Sequence, residues 1–368
     1  MASPSSPLSF HVKLVPDEIV FLFHPFILRS HSSFILSHVR KTEGGITVEP
    51  IIQIEHLTKK YKRAKEPSVN GISFSVNPGE FFAFLGPNGA GKTTTISILT
   101  TTLSKSSGIV KIADADLETD AKKVRQQIGI LFQNPSLDLE LTAEENIRLH
   151  VSIYGIYPYR PLYRMMPKAY KARVAELAEM VGLKDQLFKR LKTFSGGMKR
   201  KLEIIRSLMH NPKILFLDEP TQGLDAESRR SLWEYLQQIR KKENITIFLT
   251  THYLEEAEGA DRVCIINKGK VSLAGTPDEI KNHLLVKKTM NLDADDRKQL
   301  IEELATNFCD YEEWEHGVKV YYDQKTPHSL LQQIKIPLTK LEIRVPSLEE
   351  AYVDLIKTQE GDKQYVGN

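Results

Sequence analysis

The segment Phe82–Thr94, FAFLGPNGAGKTT, constrains the fold more than any other part of the chain. An apolar run, Phe81–Leu85, has the length of a buried strand. It ends in Gly86-Pro87-Asn88-Gly89-Ala90-Gly91-Lys92-Thr93, and a helix-like stretch, Thr94–Leu103, follows. This is G-x-x-x-x-G-K-[ST] between a strand and a helix, the setting in which a glycine-rich loop cradles phosphates. The glycines let backbone N–H groups turn toward an anion with no Cβ in the way. The helix start near Gly91 adds the positive end of its dipole. Lys92 is placed to reach two phosphates and the Thr93 hydroxyl to hold Mg²⁺. The plainer reading is a glycine turn before a helix. Average residue usage produces this pattern by chance in about one chain in a hundred of this length, so a nucleotide site is the expectation.

The rest of the composition narrows the class. A chain of 368 residues with 26% charged residues and a net charge of +3 reads as one large or two modest globular domains. Its two cysteines, Cys264 and Cys309, give no disulfide framework. Ile19–Leu28 is apolar but broken by His24 and Pro25. It falls short of the ~20 residues that cross a bilayer, and the lack of a basic leader reads against a signal peptide. Nothing later is long enough to span, so any membrane part must come from another chain. Residues 1–49 show neither helical nor strand periodicity and read as a disordered or non-native extension. Glu43-Gly44-Gly45 ahead of Val48 fits a ribosome-binding sequence before a GTG start, so translation in a bacterial source is expected to begin at Val48.

From Pro50 the pattern becomes regular. Ile51–Ile54 and Val69–Val76 read as strands, the second closed by the turn Asn77-Pro78-Gly79-Glu80. Tyr61 offers a face on which a purine could stack, although an isolated Tyr is more often simply packed. Lys213–Pro220 is an apolar strand ending in Asp218-Glu219. An acid at such a strand end meets Mg²⁺ in P-loop proteins, which suits Asp218, and Glu219 then stands where a general base is needed. Ser195-Gly196-Gly197 opens a helix with Leu202, Ile205, Leu208 and Met209 on one face. This is a second anion-ready helix end, and it makes sense if two chains face each other and each caps the other's phosphate.

Gly86–Thr93, Gln133, Ser195-Gly196-Gly197-Met198, Leu217-Asp218-Glu219-Pro220, Gly223-Leu224-Asp225 and His252, in that order, resemble the motif set of ABC-type ATPases over about residues 50–285. The resemblance implies an ATP site with Mg²⁺. Tyr61 stacks the adenine, and Gly86, Pro87, Asn88, Gly89, Ala90, Gly91, Lys92, Thr93 and Thr94 hold phosphate. Thr93, Gln133 and Asp218 serve the metal, and Glu219, His252 and Gln133 serve the attacking water. Ser195, Gly196, Gly197 and Asp225 meet a second cassette. Phe194 and Met198 depart from the commonest signature, while Ser195 and Gly197 keep it. Phe132–Asp138, Leu141–Asn146, Thr193–Lys201 and Pro346–Tyr352 are similar to cassettes of ABC-2-type transporters of the daunorubicin-resistance group. In that group the permease is a separate polypeptide, and the cassette sits at the cytoplasmic face of the membrane. The resemblance thus implies an ATPase driving export of a drug, lipid or glycan. The alternative is a soluble cassette acting on ribosomes or DNA, but such types carry two cassettes per chain, coiled-coil insertions or cysteine clusters, none of which is present; no nucleic acid is expected.

The expected fold is α/β: a P-loop cassette over 50–285, with a mixed sheet core and a helical subdomain at about 134–194, then a small α+β domain over 286–357 and a tail, 358–368. Residues 160–201 hold twelve Lys/Arg and three acids. That surface faces either lipid headgroups or plain solvent. Residues 286–368 carry 11 basic and 16 acidic residues. Strands at Val286–Leu292, Val318–Tyr322 and Leu341–Val345, helices at Asp295–Asn307 and Pro327–Ile334, and a last helix capped by Ser347 and Glu350 suggest a split βαβ pattern.

Overall fold

The computed structural model describes residues 11–15, 18–23, 26–30, 39–42, 45–134, 136–283, 288–307, 310–314, 317–322, 327–344, 347–349 and 352. Two compact units emerge, one of Met1–His252 with Cys264–Ser272, the other of Tyr253–Val263 with Leu273–Asn368.

Before Glu49 the backbone pairs, in a stretch expected to be a disordered or non-native extension. Strands β1 (His11–Val15), β2 (Glu18–Phe23) and β3 (Phe26–Ser30) form one antiparallel sheet, and β4 (Val39–Thr42) with β5 (Gly45–Val48) another. The β-branched and aromatic residues of Ile19–Phe23 and Phe26–Leu28 favour extended pairing. Their runs are too short for periodicity to reveal it.

Two sheets build the region from Ile52 to Gly275. An antiparallel sheet has the order β10-β9-β6-β7, from β6 (Ile52–Lys59), β7 (Val69–Val76), β9 (Ser107–Ile112) and β10 (Ala115–Asp116). The first strand runs past its expected end at Ile54 because register shifts between Glu55 and Thr58, with His56 at φ 50, interrupt the alternation. The turn at Asn77 forms as expected, with Glu80 N–H donating to Asn77 O at 3.2 Å.

The six-stranded sheet has the order β11-β12-β13-β8-β14-β15. It comprises β8 (Phe81–Leu85), β11 (Ile128–Leu131), β12 (Ile214–Asp218), β13 (Thr246–Thr251), β14 (Arg262–Asn267) and β15 (Lys270–Gly275). Neither β9, β14 nor β15 was legible as a strand. β11, β12, β13 and β8 run parallel, with Leu131 beside Leu217, Asp218 beside Thr250, and Thr251 beside Leu85. Every residue of β8, β12 and β13 is buried, as parallel central strands demand. The parallel register puts the carboxyl ends of four strands along one edge of the sheet, where ligands of open α/β sheets bind. Phe248 is the hub of an aromatic cluster, with ring centroids 5.3 Å from Phe82, 5.3 Å from Phe216 and 5.7 Å from Phe84.

Helices surround this frame. Ala143–Ile153 begins in a capping box in which Glu145 N–H donates to Thr142 Oγ1 at 3.2 Å and Thr142 N–H to Glu145 Oε2 at 2.8 Å. Together with Lys168–Met180 it lies within the expected helical region. Gly196–Leu208 and Ala226–Glu243 follow. The basic window is partly structural, since Arg173 holds Glu243 at 2.8 Å and Arg200 is buried.

In the second unit, β16 (Lys288–Asp293), the helix Arg297–Asn307, β17 (Tyr311–Trp314), β18 (Gly317–Tyr322), the helix Pro327–Leu331 and β19 (Lys340–Arg344) form an antiparallel sheet in the order β17-β18-β16-β19. This is the β-α-β-β-α-β pattern, with β17 an addition to the expected elements. Its core is Met290, Leu292, Leu300, Leu304, Val318, Val320 and Leu330. The boundary at 286 moves: Tyr253–Val263 groups with this unit, and Leu348 N–H donates to Glu258 Oε1 at 3.0 Å. Cys309, Glu350 and the tail from 353 lie outside the described residues.

Phe248→Ala removes the shared ring of the aromatic cluster. Urea unfolding should show a loss of about 3–5 kcal/mol. A loss below about 1 kcal/mol would mean that the neighbouring rings close the gap and that Phe248 is not the hub.

Candidate functional site

The loop after β8 is shaped by close approach. A Cβ at Gly86 would lie 2.4 Å from Ile266 O, and one at Gly91 2.5 Å from Ser68 O. Gly89 and Gly91 also hold φ of 79° and 109°, which L side chains resist. Gly91 is the N-cap of Lys92–Leu99 and supplies no side-chain cap, so the first-turn N–H groups of that helix remain for a ligand. Ala90 N–H donates to Pro87 O at 3.1 Å, and Ala90 O accepts from Gly269 N–H at 2.9 Å, which pins the loop on both sides.

Lys92 is only 4% exposed. Its Nζ donates to Gly86 O at 2.7 Å and Pro87 O at 3.3 Å, and lies 3.4 Å from Glu219 Oε1. The other carboxylate oxygen, Oε2, lies 3.3 Å from His252 Nδ1. Glu219 follows β12 with φ of 46°, a conformation that costs a non-glycine residue about 1–2 kcal/mol. Its N–H donates to Thr250 O at 3.1 Å, which holds the turn. Asp218 is buried, and the Thr250 hydroxyl donates to its Oδ1 at 2.5 Å. Burial pushes the Asp218 carboxyl above the usual carboxylate range, against the lowering effect of the Thr250 hydrogen bond.

A cleft of about 370 Å³ lies between these elements. One wall is the loop and the first turn of its helix, from Pro87 to Thr94, and the other carries Gln133, Glu219 and Gln222. Gln133 Nε2 donates to Gln222 Oε1 at 2.7 Å. Tyr61 is 43% exposed, and its hydroxyl lies 3.4 Å from Thr94 Oγ1, which places its ring next to the loop, with Lys59 Nζ over it at 5.5 Å from the centroid.

Thus Gly86–Thr94, Tyr61, Gln133, Asp218, Glu219 and His252 come together around one edge of the sheet. Ser195–Gly197 and Asp225 do not line this cleft; they form a second cluster. Ser195 caps Gly196–Leu208 by accepting from Met198 N–H at 3.3 Å, and Asp225 caps Ala226–Glu243 by accepting from Ser228 N–H at 2.9 Å. A Cβ at Gly197 would lie 2.9 Å from Ser228 Oγ, so the two helix ends abut. The Ser228 N–H holds the Asp225 carboxyl below the usual carboxylate range. Gln222, Ser68 and Thr250 escaped the sequence reading. Gln222 sits three residues after Glu219, where a polar turn residue faces the same side, and that spacing was the only signal for it.

The arrangement can bind a polyanion at the loop, hold a carboxylate base at its edge, and offer the oxygen donors of Thr93 and Asp218 to a hard cation. Comparison with known proteins agrees with this chemistry. The ABC transporter family model matches residues 69–222. The linearmycin resistance ATP-binding protein LnrL of Bacillus subtilis (strain 168) is 34% identical over 316 residues, covering 83% of this chain and 98% of that protein. The daunorubicin resistance ATP-binding protein DrrA3 of Streptomyces coeruleorubidus is 36% identical over 231 residues, covering 62% of this chain and 69% of that one. Other matched relatives are longer, and the chain spans 40% of their length. Among solved structures, a dimeric ATP-binding cassette in a post-hydrolysis state, bound to ADP and Pi, matches with a TM-score of 0.53 at 26% identity, over 61% of this chain and 98% of that chain.

Lys92→Ala removes the buried ammonium that faces the loop. Loss of a charge-assisted contact of about 1.5–3 kcal/mol should weaken nucleotide binding by at least about tenfold in a fluorescence titration. Unchanged affinity would separate Lys92 from the binding site.

Proposed function

Because the chain belongs to the ABC transporter family, we propose that it is the ATP-binding and ATP-hydrolysing subunit of an exporter whose membrane permease is a separate polypeptide. The observation that carries this reading is Glu219, held at the cleft edge between Lys92 at 3.4 Å and His252 at 3.3 Å, directly beside the glycine-rich loop. A carboxylate so placed accepts a proton from a water attacking a terminal phosphate. Lys92 and the open N–H groups after Gly91 take the phosphate charge, and Tyr61 carries the base. The hard-oxygen pair Thr93 and Asp218 fits Mg²⁺, which, when bound, supplies charge neutralisation at the phosphates. Gln133 and His252 orient the water against Glu219.

The second cluster is read as the half-site for a partner's nucleotide. Ser195, Gly196 and Gly197 close the cleft of a second cassette, and Asp225 lies at the contact between the two. No described helix is long and apolar enough to cross a membrane. In this reading the chain is a peripheral subunit at the cytoplasmic face, docked on its permease. The cargo in this reading is a drug, lipid or glycan, and the resistance in the relatives' names supports the first of these.

Glu219→Gln keeps the shape but cannot accept a proton. Hydrolysis should fall by roughly 10²–10⁴-fold while ATP binding persists. Because ATP then remains trapped between two chains, the variant should elute as a dimer with ATP and as a smaller species without it. Adding Ser195→Arg should abolish the dimer. Wild-type turnover in Glu219→Gln would remove Glu219 as the base, and a dimer that survives Ser195→Arg would overturn the two-chain site.

A further inference from the structure

Gln133 sits past the end of β11, on a segment whose backbone groups are held by side chains of one helix, Gly196–Leu208. Arg200, only 4% exposed, donates from Nη1 to Phe132 O at 2.8 Å and from Nη2 to Gln133 O. Its Nη1 also meets Glu203 Oε2 at 3.0 Å, and Glu203 Oε1 accepts from Ser136 N–H at 3.2 Å. Arg206 adds a donation to Ser136 O at 2.8 Å. The guanidinium is planar, and its rigid fork holds two successive carbonyls at once. It therefore fixes the direction in which the backbone leaves β11, and with it the start of the Gln133 side chain. Gln222 fixes the other end of that side chain.

The helix that carries Arg200 is the one that begins at Ser195-Gly196-Gly197. We propose that Arg200 is a positioning residue that ties Gln133 to this helix. Movement of the Ser195 end toward a second cassette then carries Gln133 into place beside Glu219 in the chain's own cleft. Engagement of one nucleotide by the Ser195 end thereby sets the water geometry at the other. The buried pair with Glu203 is what keeps the fork rigid: an unpaired Glu203 carboxylate, already pushed up by burial, would be costly. The inference rests on the ATPase reading above.

The test is a double-mutant cycle on the full chain. Arg200→Lys keeps the charge next to Glu203 but serves one carbonyl at a time. It should lower kcat for ATP hydrolysis by about tenfold or more, as expected of a small misplacement near the chemistry, with KM within about twofold of wild type. In a Gln133→Ala background the same substitution should change kcat by less than about twofold, since the group it positions is gone. An equal loss of kcat in both backgrounds, or a rise in KM matching the loss, would overturn the proposal and leave Arg200 a packing residue. Should Arg200→Lys fold poorly by circular dichroism, the paired replacement Arg200→Met with Glu203→Met removes both charges together and enters the same cycle. A Glu219→Gln variant run in parallel separates the two readings. If it hydrolyses ATP at the wild-type rate, Glu219 is not the base and the reading of the site fails. If it is inactive while the cycle is additive, only the coupling fails.

Discussion

The parallel pairing of β8, β13, β12 and β11 is the constraint on which the site depends. Because the strands run the same way and in step, Leu85, Thr251, Asp218 and Leu131 end along one edge. The loop, His252, Glu219 and Gln133 each follow one of these ends within two residues. No local rule brings residues 86, 133, 219 and 252 together; the ladder does. A shift of one residue in β12 would turn Asp218 and Glu219 to opposite faces, since side chains alternate along a strand. The all-buried strands and the Phe248 cluster make that register costly to change, so core packing and site geometry are the same fact seen from two sides.

The balance of charge in the cleft follows from burial. An ammonium as buried as that of Lys92 needs partners, and it has them in the Gly86 and Pro87 carbonyls and in Glu219. The carbonyl bonds are local to the loop. The Glu219 contact is different, because it neutralises the group that the proposed chemistry needs free. In the proposed function, phosphate oxygens compete with Glu219 for the same ammonium.

How far the sequence carried this picture depended on whether a feature is local. The loop, Asp218-Glu219 and the Ser195 helix were legible because glycine positions, a strand-ending acid pair and a cap residue act within a few residues. The capped helices and the β-α-β-β-α-β order of the second unit came from period and turn signals in the same way, although β17 is too short to register. β9 was missed because its long partner, β6, lies far back in the sequence, and β14 and β15 were missed although they lie side by side across the turn at Lys268 and Gly269, both at positive φ. The paired strands before residue 49 were missed for want of length. Glu219's positive φ, its contacts with Lys92 and His252, and the Gln222 partner of Gln133 are also products of the assembled sheet. The domain boundary moved for a related reason: the contact of Leu348 with Glu258 joins segments ninety residues apart.

The two anion-ready helix ends are built differently, and that difference orders the proposed cycle. Gly91 supplies no side-chain cap, so the donors after it have no protein partner to give up when phosphate arrives. Ser195 already caps its helix by accepting from Met198 N–H at 3.3 Å, which leaves its own O–H free to donate. A phosphate at that end finds the Met198 N–H already partnered, so its net gain from that donor is smaller. In the proposed cycle the loop fills first, from solution, within a single chain. The Ser195 end engages second in that cycle, when a loop of another chain presents a nucleotide already held in place. An end that bound phosphate strongly by itself would capture free nucleotide and block the approach of the partner. The weaker, self-capped end avoids this, and it makes closure conditional on a filled loop opposite.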